Sequence, residues 1–391
     1  MQTIKPIEGA VQLPAPQAPV IDAQAGASGS TRAGQETASA PAQRSRWKRA
    51  IIVLPILFAG LIVALIFATA IGSVPISASE IIKIMLNSTG LFHFRQTWDT
   101  ADAIIIFQLR LPHVIGAALV GAALAVAGVL FQGLLRNPLG DPYLIGISAG
   151  AGLGVTIGFA LPASLVLLGF GQIAAFAFIG ALIAVMLVYW LARVGGRTPV
   201  VSLLLAGMVI TALMNAIQAL LLYLYPGLQL RLRSVIGWLW GGIAVENWGQ
   251  VGIVALLILA GILVSLSFAP TLNALALGEE GASYLGINVE RQKTLLIAFA
   301  SLLTAASVTI AGLVGFVGLV VPHALRLVIG PGHRLLLPAS ALGGALFLVV
   351  ADLLARSLIA PSELPLGVLT ALVGGPFFLY LLRRSGRDYR W

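Results

Sequence analysis

Residues 110–154 read RLPHVIGAALVGAALAVAGVLFQGLLRNPLGDPYLIGISAGAGLG. Between His113 and Leu134 there is no charged residue. Roughly 20 such apolar residues cross a bilayer as a helix. Asn137-Pro138-Leu139-Gly140-Asp141-Pro142 is a turn, since both prolines and the glycine oppose a continued helix. A second apolar run, 143–161, follows at once. Gly121, Gly128, Gly133, Gly146, Gly150, Gly152, Gly154 and Gly158 crowd these two runs. In lipid, small residues allow helix backbones to approach closely where water drives no association. The stretch therefore reads as two adjacent membrane helices that pack tightly, and packing that shifts between states is compatible with the same composition.

The rest of the chain agrees. Of 391 residues, 59% are hydrophobic and 9% charged, and the mean hydropathy is +1.00. Soluble domains carry about 25% charge. Further apolar runs occupy 50–72, 169–192, 200–222, 249–268, 294–312, 316–329, 336–355 and 364–382. With the first two, that makes ten spans and an all-α integral membrane protein. The 316–329 run is too short to cross without thinning the bilayer or leaning on neighbours. Residues 1–43, rich in Ala, Gln, Ser, Gly and Pro, read as a disordered cytoplasmic leader. Residues 44–391 form the membrane domain. The run at 50–72 follows Arg44, Arg46, Lys48 and Arg49. It exceeds the 7–15 residues of a signal's apolar core, so it reads as a retained helix.

Charge orients the spans. With a cytoplasmic N-terminus, 17 of the 23 Lys and Arg fall on the inner side. Lys83, Arg95, Arg110, Arg231, Arg233 and Arg356 are left outside. This is the positive-inside pattern, and it explains a net charge of +9 without nucleic acid. Five spans per half requires the halves to be inverted if they share a fold. A faint internal echo accompanies this: Ala127-Gly128 with Pro138, and Ala311-Gly312 with Pro322 at the same spacing.

Several function classes fall away. The chain has no cysteine, hence no disulfide framework or thiolate chemistry. Asp352 is the one acidic residue deep in a span, with Arg356 four positions on and on the same face. No series of buried carboxylates offers a proton relay, which argues against an ion-coupled carrier. No potassium-filter sequence is present. None of the lysines Lys5, Lys48, Lys83 and Lys293 sits in a Walker A loop. The chain is thus not itself an ATPase, and ATP-driven transport would need a separate subunit. The inner loop 270–293 contains TLNALALGEEGASYLGINVERQK. Its apolar turns flank Gly278-Glu279-Glu280-Gly281, and it can fold into two short helices on the membrane face. Such a loop serves as well for docking a partner as for a plain connector.

Four blocks carry a family resemblance: residues 110–154, GEEGASYLGINVERQ at 278–292, GLVGFVGLVVPHALRLVIGPGHRLLLPASALGGALFLVVADLLAR at 312–356, and SELPLGVLTALVGGPFFLYLLRR at 362–384. Together they resemble the permease subunits of ABC importers for haem, iron–siderophores and cobalamin. The likeness runs from about residue 50 to 386. It implies ten helices in two inverted halves, and a homodimer with its pore on the two-fold axis. It also implies two cytoplasmic ATPase subunits that bind ATP, a periplasmic binding protein, and a place in the bacterial inner membrane with both termini cytoplasmic. By motif position, Arg110 and Arg356 would receive acidic residues of the binding protein, with His113 where the family often has a second arginine. Leu277, Gly278, Glu279, Glu280, Gly281, Leu285 and Gly286 would form the coupling element seated in the ATPase.

Cargo is the finer question. LRLRSVIGWLW, residues 230–240, follows the fifth span on the outer side. Arg233 and Trp238, five apart, resemble haem and cobalamin permeases, and the siderophore permeases more often lack that charge. An arginine can bind a propionate bidentately, while Arg231 and Arg233 could equally snorkel to the interface. Haem is the expected substrate, with cobalamin and ferric siderophores as alternatives; no permanently bound cofactor or metal is expected. His93, His113, His323 and His333 are not read as haem ligands. An ion-coupled carrier and a non-transporting membrane scaffold remain as readings from other classes.

Overall fold

The computed structural model describes residues 40–385, apart from 73–75, 89, 91–93, 97, 163–165, 168–169 and 360–361. The chain divides into two units, Met1–Arg44 and Ser45–Trp391. The second unit holds the helical bundle. The expected leader lies outside the described residues except for its last four positions.

Helices dominate the described residues, joined by turns and irregular segments; the extended pairings are Val166–Leu167 with Phe170–Gly171 and an isolated bridge between Val194 and Arg197. In order the helices are α1 (Ala40–Ala70), α2 (Ala78–Ser88), α3 (Thr100–Ile104), α4 (Leu111–Leu135), α5 (Ile147–Ala160), α6 (Gln172–Ala192), α7 (Val200–Leu224), α8 (Pro226–Leu230) and α9 (Leu232–Leu239). Then come α10 (Trp248–Ser267), α11 (Ala269–Leu275), α12 (Glu279–Tyr284), α13 (Val289–Ala311), α14 (Val317–Ile329), α15 (His333–Ser357) and α16 (Leu366–Ser385). Seven helical stretches among the described residues are long and apolar enough to cross a membrane. They contain α1, α4, α6, α7, α10, α13 and α15. Three shorter apolar helices, α5, α14 and the apolar part of α16, coincide with the remaining expected spans.

α4 is the axis of the bundle. It follows α3 through one π-turn, Ile105–Arg110. Pro112 has no N–H to give and its ring crowds the preceding turn, so the backbone widens there rather than breaking. The expected glycine seams are real contacts. A Cβ on Gly121 would strike the Gly344 carbonyl of α15, and one on Gly344 would strike Gly121 in return. Gly150 of α5 and Gly180 of α6 stand in the same mutual relation. These backbones touch, which only glycine permits.

α13 stops at Ala311. Gly312 and Phe316 both have positive φ (59° and 68°), and the chain between them is not helical. Exposed backbone would be costly in lipid, so irregular segments survive there only when buried in protein. Tyr143 Oη donates to the Val314 carbonyl (3.2 Å) within this segment, and neighbouring irregular segments pair with the end of α13. The Gly242 and Ala244 N–H groups donate to the Ala311 and Ile310 carbonyls (2.9 and 2.7 Å). Leu366 and Gly367 N–H groups donate to Gly241 and Trp240 (2.9 and 3.0 Å). This node ties the end of α9 to the end of α13 and the start of α16.

Candidate functional site

Three groups of residues singled out in the sequence fall in three places. The first gathers around the end of α1. Helix ends leave carbonyls unpaired, and two arginines from distant segments cover them. Arg110 Nη1 donates to the carbonyls of Thr69 (3.2 Å) and Ala70 (3.0 Å). Arg356 Nη2 donates to Ala68 (3.2 Å) and its Nη1 to Ile71 (3.4 Å). Cations at a helix C-terminus also meet the negative end of its dipole. Asp352, only 3% exposed, joins the pieces. Its Oδ2 accepts from Arg356 Nε (2.9 Å), and its Oδ1 lies 2.9 Å from His113 Nε2. The expected Asp352–Arg356 pair on α15 is present. Its third member, His113, was not legible, because it arrives from α4, 239 residues away.

The expectation of an open docking charge at residue 110 meets a different geometry. Arg110 is 7% exposed, and its guanidinium lies against Gly72, where a Cβ would sit 2.7 Å from it. Both arginines clamp α1 to α4 and α15. A binding protein would meet Arg110 only along its edge.

The second group is the loop after α10. It forms α11 and α12, separated by Gly278 in a conformation (φ 102°) that side chains rarely adopt. The two glutamates of the Gly-Glu-Glu-Gly break do different things. Glu279 Oε2 accepts from Lys293 Nζ at 2.7 Å. Lys293 is 3% exposed and also donates to Glu290 Oε1 (3.0 Å) and the Thr198 carbonyl (3.3 Å). Glu290 Oε2 in turn accepts from the Thr198 N–H (2.9 Å). Glu279 is therefore an internal anchor, not a free acidic contact. Glu280 is exposed, beside the exposed side chains of Leu277, Tyr284 and Leu285. Gly281 lets α12 turn past the Leu277 side chain, and Gly286 ends it with a positive φ of 79°. The result is a rigidly held, outward-facing apolar knob with one carboxylate.

The third group is α8–α9. Arg231 Nη1 donates to the Phe159 carbonyl (3.0 Å), which caps the end of α5. That is an anchoring role. Arg233 is exposed and makes no hydrogen bond to the described residues. Trp238 packs against the main core. Five residues at 100° each put the two about 140° apart around a helix. They do not share a face of the helix: Arg233 is exposed, while Trp238 turns to the core. Leu230, Leu232 and Trp240 supply the exposed apolar surface instead. Of the histidines, His93 lies outside the described residues.

Residues 60–384 match the FecCD transport family. The chain belongs to that family of ABC importer permeases. It is 42% identical over 338 residues to the hemin transport system permease HmuU of Yersinia pestis, covering 85% of this chain and 97% of that one. It is 46% identical over 285 residues to the cobalamin import permease BtuC of Halobacterium salinarum, covering 73% and 74%. The Fe(3+)-citrate import permease YfmE of Bacillus subtilis is 38% identical over 344 residues, covering 87% and 97%. A solved inward-facing metal-chelate type ABC transporter superposes with a TM-score of 0.72 at 31% identity, covering 85% of this chain and 99% of its own. One end of the bundle offers a clamped polar corner and α9, and the loop 270–293 offers an exposed knob.

Proposed function

We propose that this FecCD permease moves haem from a periplasmic binding protein across the inner membrane to the cytoplasm. Two copies of the chain enclose a pore on the two-fold axis. Each copy crosses ten times as two inverted halves, with both termini cytoplasmic. Two ATPase subunits bind and hydrolyse the ATP, and they seat on α12 through Leu277, Glu280, Tyr284 and Leu285. The binding protein meets the corner formed by His113, Arg356 and the edge of Arg110. Haem is substrate and not a resident cofactor.

The observation that carries the haem reading is Arg233. It is an exposed guanidinium without a partner among the described residues, beside exposed Leu230, Leu232 and Trp240. A propionate takes such a group bidentately, and the apolar side chains suit the ring. A homodimer presents the arginine twice, once per propionate. The near full-length likeness to a hemin permease supports the same reading. Cobalamin is the second reading, favoured by the 46% identity to a cobalamin permease.

The test is ATP-driven uptake into proteoliposomes holding the permease, its ATPase and its binding protein, with haem and cobalamin compared side by side. Haem uptake should exceed cobalamin uptake. Wild type should also prefer haem to its propionate diester, and Arg233→Ala should lose that preference. Arg233→Lys should keep part of it as a point charge without the fork. If Arg233→Ala still discriminates as wild type does, the propionate role is wrong.

A further inference from the structure

A cleft of about 590 Å³ opens between the end of α4, the segment α11 and the start of α15. It shares α11 with the second group, but its charged residues belong to none of the three. Arg136, Arg326, His333, Gln132 and Asn273 line it, and no Asp or Glu does. Its polar groups are held in place by contacts behind them. Gln132, 3% exposed, donates from Nε2 to the Gly318 carbonyl (3.0 Å), which turns its Oε1 toward Arg326. Arg326 Nη2 donates to that oxygen (2.8 Å), and its remaining N–H groups have no partner among the described residues. Asn273 Oδ1 accepts from the backbone N–H (3.2 Å) and Nδ1 (2.8 Å) of His333. The carboxamide oxygen can only accept, so the proton sits on Nδ1 and Nε2 keeps a lone pair, which can accept only from a protonated phosphate oxygen. Arg136 stands at the mouth in the left-handed conformation, with φ 49°. A residue other than glycine is uncommon there. α15, a 25-residue helix, starts at His333, so the positive end of its dipole faces the same space.

Two guanidiniums and a helix N-terminus around one cleft without a carboxylate make a receptor for a compact anion. We infer that this cleft binds a phosphate group. The two available sources share that chemistry: an anionic phospholipid headgroup, or free inorganic phosphate. Basic pockets between membrane helices at the cytoplasmic surface take lipid headgroups in this way. The site also touches the coupling segment. Asn273 and Leu272 belong to α11, and the Arg136 guanidinium lies beside Gly278. A bound phosphate would thus brace the loop that carries α12.

The test uses the purified full-length permease and needs neither cargo nor ATP, so its failure leaves the importer reading untouched. Delipidated protein is titrated with inorganic phosphate against chloride at matched ionic strength, followed by thermal unfolding. In parallel, protein from nanodiscs of phosphatidylglycerol or of phosphatidylcholine is weighed by native mass spectrometry for retained lipid. Arg136→Gln and Arg326→Gln should each weaken binding at least tenfold, and Arg334→Gln, outside the cleft, should not. Should Arg326→Gln fail to fold for want of its Gln132 contact, Arg136→Gln carries the comparison. Retention of phosphatidylglycerol alone assigns the headgroup, and saturation by inorganic phosphate alone assigns the free ion. Binding of neither, or binding that both cleft variants leave unchanged, overturns the site.

Discussion

At the scale of single residues, the acidic pair in the 270–293 loop separates into two roles. Glu279→Lys removes a partner from buried Lys293 and adds a like charge beside it. Lys293 keeps Glu290, so the expected loss is about 1–3 kcal/mol of stability, read as a lowered unfolding temperature of the isolated permease. Glu280→Lys should leave that temperature unchanged and reduce co-purification of the ATPase. Equal stability losses for both variants would overturn the division. Asp352→Asn makes the sharper case. Removing one member of a buried ion pair costs about 3–5 kcal/mol, and here it also releases Arg356 from its setting under α1. Hydrogen exchange in the last turn of α1 should speed up, while α13 should stay protected.

Helices and their seams carry the next prediction. Gly121→Ala places a methyl group against the Gly344 carbonyl, and no rotamer relieves it because the clash is with backbone. Overpacking of this kind costs about 1–3 kcal/mol or more. Gly252→Ala, in α10, meets nothing within 4 Å and should be neutral or stabilising by about 0.5–1 kcal/mol. Thermal unfolding of both in nanodiscs checks the contrast. At this scale the sequence was readable where periodicity and length rule. The apolar spans, the Asp352–Arg356 spacing and the two short helices around Gly278 all follow from local pattern. Contacts between distant segments were not readable: the burial of Arg110 under α1, His113 on Asp352, and Glu279 on Lys293. No local rule assigns those partners. The opposite facing of Arg233 and Trp238 was readable, because residues five apart on a helix stand about 140° apart.

The whole molecule can be tested for sidedness directly, because the chain contains no cysteine. Single cysteines at Tyr284 (89% exposed) and Leu230 (90% exposed) report on the two ends of the bundle. Tyr284→Cys should react with an impermeant thiol reagent only from the cytoplasmic face, and Leu230→Cys only from the opposite face. Labelling of both from one side would refute the proposed topology. The clamp at the end of α1 has one more consequence, and it concerns time. α1 is the most apolar of the seven long helices and the least buried, with 11% of its core window covered. Arg356 lies 288 residues beyond the Ala68 carbonyl it caps. Ribosomes add roughly 5–20 residues per second, so α1 waits on the order of 15–60 s for that cap. Until then Arg110 and the start of α4 can meet it from within the bundle, and its apolar composition suits that wait among lipids.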